Sequence, residues 1–492
     1  MRFFEIILSI ANIIVFCIIA IKRFHTIRYI DYAVPAALLI AVIEVAVEGF
    51  RWQMVPAYAL SLAFLVIRLL SKGTGLHVHL VVSVLGACLG VIAIVISVAL
   101  PVVLPVFSFP EPTGSYGIGT VTYHWVDTGR PELFTEDTND RRELMAQVWY
   151  PARKEPTRRK APYIQDADAV APAIGRMLHM PEFIFSHLKY VASNAMPSVP
   201  VADDMPNYPV LLYLTGIYGF RSANTFQIEE LVSHGYIVVG LDQPGIDPMV
   251  RFPDGRQIPG LPRDEMVSLN FQSVEPRPEA PKLHGQPLPD GIIPYFAQDA
   301  SFALDQLEAI NKNDPGRILT GRLDLEHMGT FGISMGGMDA AQASLNDPRL
   351  KACIIMDVYI PAGVVGKGLK QPTMFITRNA DTMRLEHDSN GTWQEKDIEL
   401  TIGTMRAVYE KLPGDGYYVE IPGIFHINFT DIPYWSPLMA QIGWTGPINA
   451  QRGFDIINAY SLSFFDKELK GRSSSLLEGQ KQFPEVSFES LK

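Results

Sequence analysis

The chain has 492 residues, more than one typical domain needs, with a formal net charge of −11 and 48% hydrophobic residues. The charge is divided unevenly: residues 1–105 hold seven Lys/Arg and four Asp/Glu, a formal +3, which leaves −14 on the rest. An acidic remainder without a basic stripe speaks against nucleic acid as a partner, and the three cysteines form no CxxC or Cys/His cluster that would imply a disulfide framework or structural zinc.

Four apolar stretches come first, at about residues 3–21, 34–47, 54–70 and 78–103. Three reach or approach the ~20 residues that cross a bilayer, and the second is short. A cleaved signal peptide accounts only for the first, so residues 1–105 read as a multi-pass membrane domain of about four transmembrane helices. Glu44, with Glu48 near the end of the same run, reads as a bundle-facing or interfacial carboxylate with no partner charge in the other spans. Loops one and three carry Lys22, Arg23, Arg28, Arg68 and Lys72, against Arg2 and Arg51 on the other side. The positive-inside rule places those two loops in the cytoplasm and both chain ends outside it. Pro101, Pro105, Pro110 and Pro112 end the last span and stiffen a short linker, residues 106–115.

Extended runs at 119–126 and 143–150 suggest an antiparallel hairpin opening a second domain. Residues 153–207 show no clear strand but hold an apolar cluster: Ile174, Met177, Leu178, Phe183, Ile184, Phe185 and Leu188. The family of alternatives for this cluster is a membrane-dipping surface or ordinary core. A strand at 208–214 enters Thr215-Gly216-Ile217, followed by a helix at 224–233 and a strand at 237–241. Residues 244–293, dense in Pro, Gly and charge, are too long for an ordinary connection and read as a lid or rim. A helix at 302–311 leads to a strand at 327–333 and a helix at 338–345. Strands at 352–356, 373–377 and 417–421 then alternate with helices near 397–412 and 450–468. Such βα alternation predicts a mainly parallel sheet with helices on both faces. This domain covers residues 116–471, and 472–492 read as a loose polar tail.

Gly332-Ile333-Ser334-Met335-Gly336 lies between a strand and a helix, the context of the nucleophile elbow of α/β-hydrolases. A tight strand-to-helix reversal strains the serine and lifts its Oγ clear of the sheet. The helix N-terminus adds positive potential, and the Met335 amide points where an oxyanion would form. The bland alternative is a Gly-rich structural turn. A nucleophile needs a base, and only His387 and His426 follow Ser334. His387 sits in a polar, surface-like stretch, whereas His426 follows the strand at 417–421, where the general base is expected. Asp357 and Asp381 each close a strand ahead of His426, so topology leaves both as candidates for the acid; either is also an ordinary cap or turn aspartate. Ile217 supplies the second oxyanion amide from the loop after the strand at 208–214. None of this chemistry requires a metal or an organic cofactor.

Together these residues are familiar. Tyr213-Leu214-Thr215-Gly216-Ile217-Tyr218-Gly219-Phe220-Arg221, Leu231 to Val238, Val148-Trp149-Tyr150-Pro151, the elbow, Met356-Asp357 and Phe425-His426-Ile427-Asn428 resemble the plasma-type platelet-activating factor acetylhydrolases over roughly residues 116–470. The resemblance implies Ser334 as nucleophile, Asp357 rather than Asp381 as acid, His426 as base, and Ile217 with Met335 as oxyanion amides. It leaves His234 as a structural residue near a helix end. It departs from the family at Thr215 and Ile333, where histidines are usual, and in the membrane segment, which secreted members lack. The expectation is a membrane-anchored serine esterase, facing away from the cytoplasm, that cleaves a short acyl ester or a phospholipid sn-2 acyl group. The alternatives are a broader lipase or polyester hydrolase and a non-catalytic binding protein; graded esters and a fluorophosphonate probe separate them.

Overall fold

A computed structural model describes residues 1–20, 30–73 and 80–491, except for the side chains of residues 30, 71–73 and 80–83. The chain divides into two compact units, the first comprising Met1–Phe107 with Ser186–Val191 and Trp435–Leu438.

Unit one contains four helices: α1 (Phe3–Ala20), α2 (Ile30–Glu48), α3 (Val55–Gly73) and α4 (Leu80–Val103). Three segments, Phe3–Ala20, Trp52–Leu70 and Val84–Val103, are long and apolar enough to cross a membrane. The fourth helix, α2, carries Asp31, Glu44 and Glu48 and has Pro35 inside it. Leu8, Val15, Ala37 and Phe64 pack between the helices, while Ile10, Ile14, Leu62, Leu89 and Ile92 face outward. Glu44, read as having no partner charge within the other spans, accepts from Arg2 Nη2, just before α1, at 2.9 Å and from the Tyr58 hydroxyl. Arg51 bonds Glu5 of α1 at 2.8 Å. The sequence hid these partners because Arg2 and Arg51 flank the spans and Glu5 lies within the first. Lys22, Arg23 and Arg28 lie outside the described residues, as does the Lys72 side chain.

Unit two is built on a ten-stranded sheet. Its strands are β1 (Gly117–Pro131), β2 (Arg141–Ala152), β3 (Met196–Pro197), β4 (Tyr208–Leu214), β5 (Ile237–Asp242), β6 (Leu323–Ile333), β7 (Leu350–Met356), β8 (Thr373–Thr377), β9 (Gly416–Glu420) and β10 (Ser487–Leu491). Across the sheet they run β10-β9-β8-β7-β6-β4-β5-β2-β1-β3. Strands β4 to β9 are mutually parallel, and β1, β2 and β10 supply antiparallel pairings at the flanks. The central strands read as unbroken apolar runs because helices cover both faces. Along β4 the side chains divide by parity: Val210, Leu212 and Leu214 enter the core on one face, Leu211 and Tyr213 that on the other. This mainly parallel sheet with helices on both faces fits the α/β-hydrolase fold.

The stretch 244–293, read as a lid or rim, holds a β-ribbon, the helix Arg263–Val274 and a second short ribbon. Phe252, Met266 and Leu269 anchor it in the core, which composition alone does not reveal. One expectation needs correction: the tail is not loose. Leu476, Leu477 and Phe483 are buried, and β10 pairs with β9 from Gly416–Leu491 to Glu420–Ser487. Edge pairing uses main-chain groups, so a polar strand can add to a sheet without an apolar signature.

Candidate functional site

Ser334 lies between β6 and the helix Met335–Asn346, with φ 56° and ψ −132°. A β-carbon on a non-glycine residue resists this left-handed region, so the surrounding backbone has to enforce it. The neighbouring glycines show how closely that backbone is packed. A Cβ on Gly332 would fall 2.1 Å from the Gly336 carbonyl oxygen, and one on Gly336 would fall 2.1 Å from that of Leu214. Strand, turn and helix interlock only without those side chains.

The loop after β4 lies against the serine. A Cβ on Gly216 would meet Ser334 Cβ at 2.8 Å and its Oγ at 3.4 Å. The loop is fixed by Gly219 N–H donating to Gly216 O at 2.9 Å and Tyr218 N–H donating to Ile246 O at 3.0 Å. Among the described residues, the amides of Ile217 and Met335 donate to no other backbone carbonyl. First-turn helix amides have no intrahelical acceptor, which leaves that of Met335 available to a ligand. Ile333, where the resemblance departs from its family, is buried with Phe331 and Ile354.

His426 and Asp357 come together. His426 Nδ1–H donates to Asp357 Oδ2 at 2.6 Å; opposite a carboxylate, that ring nitrogen is the protonated one. Asp357 closes β7 with φ 48° and is fully buried. It also accepts from Thr377 Oγ1 at 2.9 Å and from Arg378 Nε at 3.0 and 3.1 Å to its two oxygens. Burial alone would raise its pKa, but the Arg378 charge and the His426 hydrogen bond outweigh it and hold the carboxyl at about 2. The His426 ring is half-buried and therefore open to one side.

The other candidates lie elsewhere. Asp381 occupies the first turn of the helix Ala380–Asn390, where its side chain is 90% exposed and pairs with Arg384 at 3.2 Å. His387 Nδ1–H donates to Thr392 O at 2.8 Å in a loop contact. His234 caps the helix Thr225–Ser233 and bonds Thr113 and Glu230. The sequence reading missed the shell around His426. Glu386, on the helix Ala380–Asn390, accepts from His426 N–H at 3.1 Å and pairs with Arg378. The Arg378 guanidinium lies 4.3 Å from the centre of the Trp393 indole, whose ring is 5.1 Å from that of His426. Only the adjacency of Thr377-Arg378 to a strand end hinted at this shell.

Residues 306–480 match the family model described as platelet-activating factor acetylhydrolase, isoform II, a range that includes Ser334, Asp357 and His426. A probable 1-alkyl-2-acetylglycerophosphocholine esterase of Arthroderma benhamiae is 25% identical over 304 residues, 58% of this chain and 67% of that protein. The platelet-activating factor acetylhydrolase of Cavia porcellus is 23% identical, over 55% of this chain and 61% of that protein. The Canis lupus familiaris enzyme of the same name is 22% identical, over 56% and 61% respectively. The chain therefore spans roughly 61–67% of the length of these relatives. Among solved structures, a ferulic acid esterase from Streptomyces cinnamoneus superposes with a TM-score of 0.59 at 24% identity, covering 78% of this chain and 99% of its own. At that identity the likeness shows the shared fold. The chain is thus similar to carboxylic ester hydrolases, the platelet-activating factor acetylhydrolases among them.

Proposed function

We propose that the chain is a membrane-anchored serine esterase that cleaves a short acyl ester, the sn-2 acyl group of a phospholipid being the substrate that the names of its relatives suggest. The observation that carries this reading is a strained Ser334 pressed against the Gly216 loop, with a His426–Asp357 pair formed between the loops after β9 and β7. Ser334 Oγ attacks the ester carbonyl while His426 Nε2 takes its proton. Negative charge gathers on the carbonyl oxygen, toward which the Ile217 and Met335 amides donate. Collapse of the tetrahedral intermediate expels the alcohol, which leaves with the proton from His426 and an acyl group on Ser334. Water then gives a proton to His426 and attacks the acyl carbon; the acid departs and Ser334 regains its proton. Asp357 keeps the imidazole in the tautomer that presents Nε2 as acceptor and stabilises its cation.

Anchoring rests on unit one. Its outward side chains are apolar while Glu5, Ser9, Asn12 and Ser61 are buried between helices, a distribution suited to hydrocarbon rather than water. Four spans, with loops one and three cytoplasmic and the hydrolase domain outside, complete the proposal.

A fluorophosphonate probe tests the core of it. Wild type is expected to label and to hydrolyse short-chain esters, and Ser334→Ala to do neither. Labelling and turnover that survive in Ser334→Ala overturn the reading. Lipid profiling of membranes incubated with each protein identifies the acyl group, and esters of graded chain length test the broader lipase alternative.

A further inference from the structure

Behind His426, three buried charges are joined through one guanidinium. Arg378 Nε bridges both oxygens of Asp357, and its Nη1 reaches Glu386 Oε2. That same Glu386 oxygen accepts from the His426 backbone N–H at 3.1 Å, which closes a ring of contacts from Asp357 to Arg378, Glu386, His426 and back to Asp357. Arg378, Asp357 and Glu386 are all buried. The face of the guanidinium lies on Trp393, which in turn packs on the imidazole.

The charges matter as a sum. An arginine bound to the acid of a hydrolytic triad cancels much of the field that should favour the imidazolium. Glu386 restores it: two carboxylates and one guanidinium leave a single negative charge, which protonation of His426 neutralises. Without Glu386, protonation would create a net buried cation. Without Arg378, two carboxylates would face one imidazole. Two further partners of this ring of contacts are uncharged: the Thr377 hydroxyl, which donates to Asp357, and the Trp393 indole, which packs on the imidazole; burial raises the pKa of the Tyr418 phenol on β9, which keeps it neutral although Arg406 lies over its face.

We propose that Arg378 and Glu386 are paired positioning residues that set the proton affinity of His426 from opposite directions while holding its loop in place. This inference rests on the reading of His426 as general base. Charges at this range move a neighbouring pKa by about one to three units.

The test follows the rate of fluorophosphonate labelling, and kcat/KM on a soluble short-chain ester, against pH in the full-length protein. Glu386→Gln is expected to move the acid limb down by about one pH unit and, with a less stabilised imidazolium, to lower plateau kcat/KM roughly tenfold. Arg378→Met is expected to move the limb up by about one unit. The double variant Arg378→Met/Glu386→Gln restores the count of one negative charge and should return the limb to within a few tenths of wild type. Limbs that stay in place, or shift the same way in both single variants, would reduce both residues to structural supports and overturn the inference. Should Arg378→Met fail to fold, Glu386→Gln decides alone, since it is isosteric and an unmoved limb is fatal. His426→Ala separates the two levels: substantial labelling in that variant sinks the general-base reading itself. An inactive His426→Ala with an unmoved Glu386→Gln limb sinks only the present inference.

Discussion

Asp357 combines a left-handed backbone, complete burial and an ionised carboxylate, three unfavourable features that its partners offset together. The proposed role as acid implies that Asp357→Asn, which leaves His426 in the wrong tautomer, should lower kcat on the order of 10³–10⁴-fold. Asp381→Asn should leave kcat nearly unchanged and stability within about 0.5 kcal/mol, since its side chain is 90% exposed. The reverse ranking, measured on any soluble ester, would move the acid to the later strand. A second consequence is linkage. The carboxyl titrates at about 2 in the fold against 3.8 ordinarily, so its contribution to stability is present above about pH 4 and is lost as pH falls through 2. The stability gap between wild type and Asp357→Asn in denaturant melts should therefore narrow between about pH 4 and pH 2. The sequence left these two aspartates unresolved for a physical reason. Asp381 and Arg384 stand three apart on one helix, a local pair that spacing reveals. The arginine that neutralises Asp357 is 21 residues away on the next strand, and only the folded sheet brings it near.

Elements were legible where they bury both faces or reverse sharply. The runs at β4 and β8 stand out as continuous apolar segments, and the elbow as glycines flanking a serine. What those glycines do is a matter of clearance, and clearance is testable. Gly216→Ala would push a methyl group to 2.8 Å from Ser334 Cβ, so the loop or the serine must shift. Displacing the proposed oxyanion donor should lower kcat roughly 10²–10³-fold, with a smaller loss of melting temperature than a substitution in the elbow itself, because residues 217–219 beyond the buried Gly216 are only half-buried and can shift. Gly336→Ala meets the Leu214 carbonyl at 2.1 Å, in rigid backbone, and should instead unfold the elbow and lower the melting temperature itself. A Gly216→Ala enzyme with full activity would remove the 215–219 loop from the site. The opposite case is β10, whose residues look polar and carry no strand signal. Its place is set by main-chain pairing and by Leu476, Leu477 and Phe483, three apolar residues spread over a polar segment. Truncation after Gly471 should therefore destabilise the hydrolase unit by several kcal/mol, by loss of those buried side chains. An unchanged unfolding midpoint would return the segment to the status of a tail.

At the scale of the whole protein the proposed anchoring raises the question of how an acidic hydrolase would meet a lipid. Tethering by the apolar helices would keep it near bilayer substrate, and the formal −14 on the rest of the chain supplies no attraction toward anionic headgroups. What remains is apolar contact. The cluster read from the sequence as either surface or core divides in the fold. Ile174, Phe185 and Leu188 are buried, whereas Phe183 is 52% exposed and Met180 37% exposed. Periodicity could not separate them because Pro181 interrupts the run and no regular element spans it. The two phenylalanines should thus behave differently, although two positions apart. Phe185→Ser removes a core ring and should cost about 3–5 kcal/mol, lowering activity on every substrate together. Phe183→Ser should leave thermal stability and turnover of a soluble short-chain ester as they are. If Phe183 inserts into the bilayer, the same variant should turn over vesicle-embedded phospholipid several-fold more slowly, and the deficit should vanish when the lipid is presented as detergent-dispersed monomer. Equal turnover of vesicle lipid by wild type and Phe183→Ser would show that substrate reaches Ser334 without this contact, leaving the proposed anchor as the protein's whole hold on the membrane.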